Sequence, residues 1–302
     1  MKSYRSRFQF MFVAGACAVA CAGISIPAVS AAIVSINFAS AGAQDLSNGG
    51  ATALTATETP DTPGGVVGNW NNLPGIPFAG GSYSQNNSSN TVTYNSLMTS
   101  TGSVLSGASA TVAANDTYSP NSLPTATDNS ANPSSPTNVG GADFTLFNGF
   151  LDDGNAGAIT VTVSGLTVAP NTTYSVYLYT ATDSGQRYAQ YNLTSGSYNT
   201  TYYGSVGGFP GSYTQITNTT VDNSGNVNSL AGLTGDYEVF SGLTGSSFTI
   251  TALPNSINGS FPRAPIDGLQ IVGVSAVPEP ASVGLLAIGG LGLLLVKRRK
   301  MA

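Results

Sequence analysis

The apolar residues of this chain alternate rather than recur with a helical period. Ala158-Ile159-Thr160-Val161-Thr162-Val163 places a hydrophobic side chain at every second position with threonine between. Such a run buries one face as a strand and buries nothing coherent as a helix. Thr173–Tyr179 is rich in aromatic and β-branched residues, which fit a pleated, half-buried surface. Further strands are predicted at Ile33–Phe38, Asp236–Phe240, Ser247–Thr251 and Ile266–Val272. Shorter ones are predicted at Thr91–Tyr94, Ala110–Ala114, Arg187–Leu193, Thr200–Gly204 and Tyr213–Thr217. Gly165–Asn171 and Ser241–Gly245 supply turn residues between neighbouring strands. No stretch between residues 33 and 276 sustains a helical period, so the expected class is all-β, an antiparallel β-sandwich. Two segments rich in proline and glycine, Thr55–Gly81 and Ser119–Gly141, read as long surface loops.

Composition then removes several kinds of chemistry. Histidine is absent from all 302 residues, which excludes Ser-His-Asp catalysis and histidine general bases. Arg187 and Arg263 are the only cations between residues 33 and 276, whereas every acidic residue except Glu279 falls there. Nucleic acid is therefore excluded as a partner, because phosphate binding needs clustered Lys and Arg. The same acidity is expected to repel polyanions over a Debye length of about 8 Å.

The two ends differ from this body. Lys2, Arg5 and Arg7 precede an apolar stretch from Phe8 to about Ile26, which closes in the small residues Pro27–Ala32. That pattern is a secretory signal peptide, residues 1–32, with cleavage expected after Ala31 or Ala32. Both cysteines, Cys17 and Cys21, lie within it, so a processed chain has no disulfide, thiol nucleophile or zinc-thiolate site. At the other end, residues 277–302 carry Pro278-Glu279-Pro280, an uncharged apolar run from Ala281 to Val296, and the basic cluster Lys297, Arg298, Arg299 and Lys300. The run would be roughly 24 Å long as a helix, a little less than the ~30 Å hydrocarbon core. Snorkelling basic side chains make up such a difference, so one C-terminal transmembrane helix is expected, with its basic end cytoplasmic.

Triplet, apolar run and basic end, in that order, resemble the PEP-CTERM sorting signal. The resemblance implies an exosortase as partner, cleavage near Pro278-Glu279-Pro280, and a protein that crosses the inner membrane, is briefly anchored in it and ends at the cell surface or outside the cell. The body, residues 33–276, carries Asn69-Trp70-Asn71-Asn72, Asn148-Gly149-Phe150-Leu151-Asp152, Tyr237–Leu243 and Arg263–Ile271 in an order similar to secreted β-sandwich ectodomains of PEP-CTERM proteins from Planctomycetes and Verrucomicrobia. The closing segment Pro265-Ile266-Asp267-Gly268-Leu269-Gln270-Ile271 also resembles the last strand of galactose-binding-like jelly rolls, which implies a jelly-roll-like sandwich; no activity comes with either resemblance. The expected function is a non-catalytic surface or extracellular-matrix protein. The alternative is a carbohydrate-binding module for exopolysaccharide or another cell-surface glycan.

Individual residues offer weaker pointers. Trp70 and Asn71 pair an indole with a side-chain amide, the combination that stacks on a sugar and bonds its hydroxyls; the alternative is a tryptophan that caps the core. Tyr188, Tyr191, Tyr198, Tyr202, Tyr203 and Tyr213 crowd one region, with Tyr188 and Tyr202 as glycan-contact candidates against an ordinary role in strands. Asp152 and Asp153 are candidate Ca²⁺ ligands on an Asp-Gly turn; no other cofactor is expected. Asp236 and Glu238 share a strand face and read as solvated acids rather than a catalytic pair. A buried ion pair is the default for each of Arg187 and Arg263.

Overall fold

The computed structural model describes residues 31–40, 53–74, 76, 90–118, 141–153, 157–182, 187–221, 232–255 and 263–275. The expected signal peptide and the whole C-terminal signal lie outside the described residues, apart from Ala31 and Ala32. Among the described residues no helix is long and apolar enough to cross a membrane.

In chain order the elements are β1 (Ala31–Ser40), β2 (Asn71–Pro74), β3 (Asn90–Asn95), β4 (Ser109–Ala114), β5 (Asp116–Tyr118), α1 (Ala142–Phe147) and β6 (Phe150–Asp152). There follow β7 (Ile159–Ser164), β8 (Tyr174–Tyr179), β9 (Arg187–Ser195), β10 (Tyr198–Val206), β11 (Thr234–Gly235), β12 (Tyr237–Leu243), β13 (Phe248–Pro254) and β14 (Gly268–Ser275). Two sheets carry the fold, one of order β12-β8-β14-β1-β2 and one of order β11-β10-β9-β13-β7-β4-β3. Most pairs are antiparallel, as expected, but β1–β2 and β10–β11 are parallel. Tyr213–Thr217 makes only the isolated bridge Gln215–Tyr237 instead of a strand.

Alternation sets which face of each strand is buried. In β7 the side chains of Ile159, Val161 and Val163 enter the core while Thr160, Thr162 and Ser164 stay partly exposed. Phe248, Ile250 and Ala252 of β13 and Val112 of β4 do the same from the same sheet. They meet Val34, Ile36, Val176, Leu178, Leu269 and Ile271 of the five-stranded sheet in one cluster. Each such aliphatic side chain contributes about 1.5–3 kcal/mol on full burial. On the opposite face, threonines bond across strands: Thr162 Oγ1 lies 2.9 Å from Thr249 Oγ1, and Thr93 Oγ1 3.0 Å from Thr111 Oγ1.

The five-stranded sheet is covered on both sides. Residues 53–70, expected as a surface loop, form a strap across its outer face, with Leu54, Thr62 and Trp70 buried. A second apolar cluster sits there, joining Leu54, Trp70, Leu146, Phe147, Tyr179, Ala181 and Phe209. Phe147 stacks on Phe209 with centroids 4.4 Å apart. The helix α1 that brings Leu146 and Phe147 into this layer is six residues long, too short to leave a period in the sequence. Asp143 ties the layer together: its Oδ1 accepts from the Asp61 N–H at 2.9 Å and from the Tyr213 hydroxyl at 2.7 Å.

A polar node fixes strap to sheet. The Tyr179 hydroxyl donates to Gln270 Oε1 at 2.6 Å and accepts from Gly64 N–H at 3.2 Å. Gln270 Nε2 donates to Ser35 Oγ at 3.1 Å and to the Gly65 carbonyl at 2.9 Å. Three of these four bonds are buried and the one to Gly65 partly so, and losing one partner would strand another, at about 1–3 kcal/mol.

Gly268, at the start of β14, is where backbone and second cluster come closest. A Cβ there would stand 2.7 Å from the Ile36 carbonyl oxygen and 3.0 Å from Leu146 Cδ1. The first contact is with backbone and cannot rotate away. Gly268→Ala is therefore expected to lower stability by about 1–3 kcal/mol, read as a fall in the urea midpoint of the full chain with an unchanged slope.

Candidate functional site

Trp70 and Asn71 are structural. The indole is only 3% exposed and its Nε1–H donates to the Val67 carbonyl at 2.9 Å. Asn71 Nδ2 donates to the carbonyls of Ser35 and Met98, and its Oδ1 accepts from Met98 N–H at 2.8 Å. A stacked sugar needs an open ring face, and the indole is almost wholly covered, with the Tyr179 ring tilted against it at 6.4 Å. Trp70 and Asn71 also border a second groove, of about 550 Å³, that runs beside Thr93–Met98. Tyr188 is partly exposed but points, by strand parity, to the outer face of the seven-stranded sheet.

Asp152 and Asp153 do not form an open calcium loop. Arg263 Nη1 lies 2.7 Å from Asp152 Oδ1 in a largely buried ion pair, the default expected for that arginine. Asp153 is 1% exposed. Burial, and then the charge of Asp152, push its carboxyl up to about 8, so at neutral pH it is mostly protonated. A guanidinium and a neutral acid make a poor cradle for a dication. Among the described residues no group of three or more acidic, His or Cys side chains is placed to hold a metal.

Asp236 and Glu238 are inside, not solvated as the sequence reading had it. Both phases of Tyr237-Glu238-Val239-Phe240 carry an aromatic ring, so alternation cannot tell which phase faces in. The register of β12 on β8 sends Glu238 inward with Phe240, and Tyr237 and Val239 outward. Neither Glu238 oxygen has a hydrogen-bond partner among the described residues. Burial holds its carboxyl well above the usual range, the Asp236 charge adds to this, and its own backbone N–H offsets little. Burial raises Asp236 to about 7, although the Thr214 N–H donates to both its oxygens. Asp267 is also raised by burial, against the N–H of Ala181 donating to its Oδ2. Beside these acids Tyr191 is fully buried, its hydroxyl donating to the Pro265 carbonyl at 3.1 Å. Its ionisation is opposed first by burial and then by Glu238, Asp267 and Asp153. The result is a group of buried acids whose ionisation burial opposes.

One open groove lies where the edge of one sheet meets the other. A groove of about 540 Å³ runs between β12 and β10. Tyr177, Tyr237, Val239 and Ser241 line one side, and Tyr198, Thr200 and Tyr202 the other. Pro63 of the strap and Gln215 complete it. Tyr202 is fixed twice: its hydroxyl donates to the Val239 carbonyl at 2.9 Å, and its ring meets Phe240 edge-on at 5.0 Å. Tyr237 packs against Tyr179 at 6.5 Å and Tyr213 at 6.2 Å. Ser241 reaches the groove through a bulge, where β12 slips register between Phe240 and Leu243 and Gly242 takes φ +81°. Of the sequence candidates, only Tyr202 belongs to this groove. Tyr198 came from the same tyrosine-rich stretch, while Tyr177 and Tyr237 arrive from separate strands by pairing.

Comparison with known proteins bears on the end of the chain. Residues 276–300 match the family model described as the PEP-CTERM protein-sorting motif. This is the signal of an exported protein that is sorted through an exosortase and is held transiently at the membrane meanwhile. No curated protein matches the chain. Among solved structures, the ANXUR1 extracellular domain from Arabidopsis thaliana is 13% identical with a TM-score of 0.27, covering 46% of this chain and 37% of that one. The ANXUR2 extracellular domain from the same plant is 12% identical with a TM-score of 0.26, covering 44% and 34%. The chain thus spans only about a third of either.

The buried acids set the pH dependence of stability. A carboxyl whose pKa is raised on folding binds more protons folded than unfolded, so its contribution is full below the unfolded pKa of about 4 and falls as pH rises. For Asp236 and Asp153 the fall continues through about 7 and about 8. Melting temperature is expected to decline steadily from pH 5 to pH 8.5. Glu238→Gln, which keeps the shape without the ionisation, should flatten that decline; melts at half-unit pH steps on both proteins check it.

Proposed function

We propose that this chain is a non-catalytic cell-surface or extracellular-matrix protein, delivered by exosortase cleavage near Pro278-Glu279-Pro280. The observation that carries the proposal is the sorting motif at residues 276–300, which begins directly after the last strand of the body at Ser275. In this reading the apolar run 281–296 spans the membrane and Lys297, Arg298, Arg299 and Lys300 stay on the cytoplasmic side, where their transfer across the bilayer is opposed by about 2.5–3.5 kcal/mol each. The two prolines disfavour helix and keep the cut segment extended for an enzyme to read. A body without catalysis agrees with the absence of histidine from the sequence and with acids sealed inside the sandwich.

A second reading gives the body a ligand: it binds carbohydrate, exopolysaccharide or a surface glycan, and so fixes the released protein in the matrix. The tyrosine groove between β10 and β12 favours it over a purely structural role, since four tyrosines that pack on the core also line an open groove.

Replacing Pro278, Glu279 and Pro280 together by alanine is expected to leave the protein exported but uncut. Mass spectrometry of the C-terminus in native cells checks this. Normal maturation of the triple variant would reduce the segment to a plain anchor.

A further inference from the structure

The groove between β10 and β12 has chemistry that narrows its occupant. Its lining is aromatic, hydroxyl and amide, with no charged side chain. We propose that it binds an uncharged, extended polysaccharide, with sugar rings against Tyr177, Tyr198 and Tyr237 and their hydroxyls bonded to Thr200, Gln215 and Ser241. The proposal rests on the carbohydrate reading above and adds the site and the class of glycan.

Spacing supports a chain-like ligand. Tyr198, Thr200 and Tyr202 follow one another at alternate positions of β10, all on the face turned toward the core and its margin. Alternate residues of a strand lie about 6.8 Å apart, so the two tyrosines bracket a length of several sugar rings rather than one pocket. Across the groove, Tyr237 and Tyr177 stand diagonally on paired strands, since Tyr177 pairs with Val239 and Tyr237 with Tyr179.

Preorganisation supports binding. Tyr237 is wedged against two other tyrosine rings and leaves little rotamer freedom to lose. Tyrosine adds rigid amphipathic area at low entropic cost. Tyr202 holds the groove's floor through the Val239 carbonyl and is a positioning residue.

The other two classes of ligand fit less well. An extended peptide would add to the free edge of β12 through its carbonyls. Two of these are taken: Tyr237 O accepts from Ile216 N–H at 2.8 Å, and Val239 O from the Tyr202 hydroxyl. A polyanion would need cations to pair with its acids, and no Lys or Arg lines the groove.

The test is calorimetric titration of the purified full chain in detergent with three uncharged hexasaccharides, β-1,4-linked glucan, mannan and xylan, and with an alginate hexasaccharide, all in EDTA. At least one neutral sugar is expected to bind, and alginate is not. Tyr177→Ala and Tyr198→Ala should each weaken binding by about two- to tenfold, the worth of one ring contact, and Tyr198→Phe should keep most of it. Thr200→Arg fills the groove from a partly exposed position and should abolish binding even if an alanine variant fails to fold. Absence of binding by every sugar would remove the carbohydrate reading as a whole. Binding untouched by Thr200→Arg and Tyr177→Ala would keep that reading but place the site elsewhere. Alginate binding tighter than the neutral sugars would overturn the ligand class alone.

Discussion

The fold depends on one strand arriving last and lying in the middle. β14 pairs with β8 on one side and β1 on the other, so the five-stranded sheet is divided until residues 268–275 are in place. Long-range pairing of this kind costs loop-closure entropy before any contact repays it. Nearly everything else is built on that insertion. Gln270 of β14 carries the node that holds the strap, and Gly268 lets Leu146 close over the strand. Asp267, just before β14, receives the Ala181 N–H. The sorting motif starts at the residue after this strand, so the element that completes the sheet is also the one the signal adjoins.

The strands were legible where threonine marked the wet face. β7 and β13 lie within a residue or so of their expected starts, because each apolar position has one unambiguous side. Legibility failed where both phases looked alike, as in β12, whose inward glutamate the pattern gives no reason to expect. It failed again for residues 53–70: proline and glycine there serve close packing against a second face of the sheet, and composition alone cannot separate that from a loop in water. Trp70 was read on its neighbours, whereas its place is set by Val67 and Tyr179. Of the groove, the β10 side lay within a visible tyrosine cluster. Its other side depends on which residues of β8 and β12 stand opposite one another, and no local pattern encodes that.

Charge counted along the chain also differs from charge on the surface. Asp153, Asp236, Glu238 and Asp267 are all buried, and each has its ionisation opposed chiefly by burial. The folded body is therefore less negative outside than its composition implies, and the long-range repulsion of polyanions inferred from composition is weaker than expected. Discrimination at the groove comes from which side chains line it rather than from the field of the whole molecule.

The antiparallel placement of β1 against β14 brings Ala31 beside Ser275. Both ends of the body therefore leave from one pole of the sandwich, and the tyrosine groove runs along β12 to the same pole, where Ser175 Oγ donates to Ser241 opposite Val272. Such a body responds to force according to where it is held. Drawing the two ends apart would peel β1 from β14 one hydrogen bond after another.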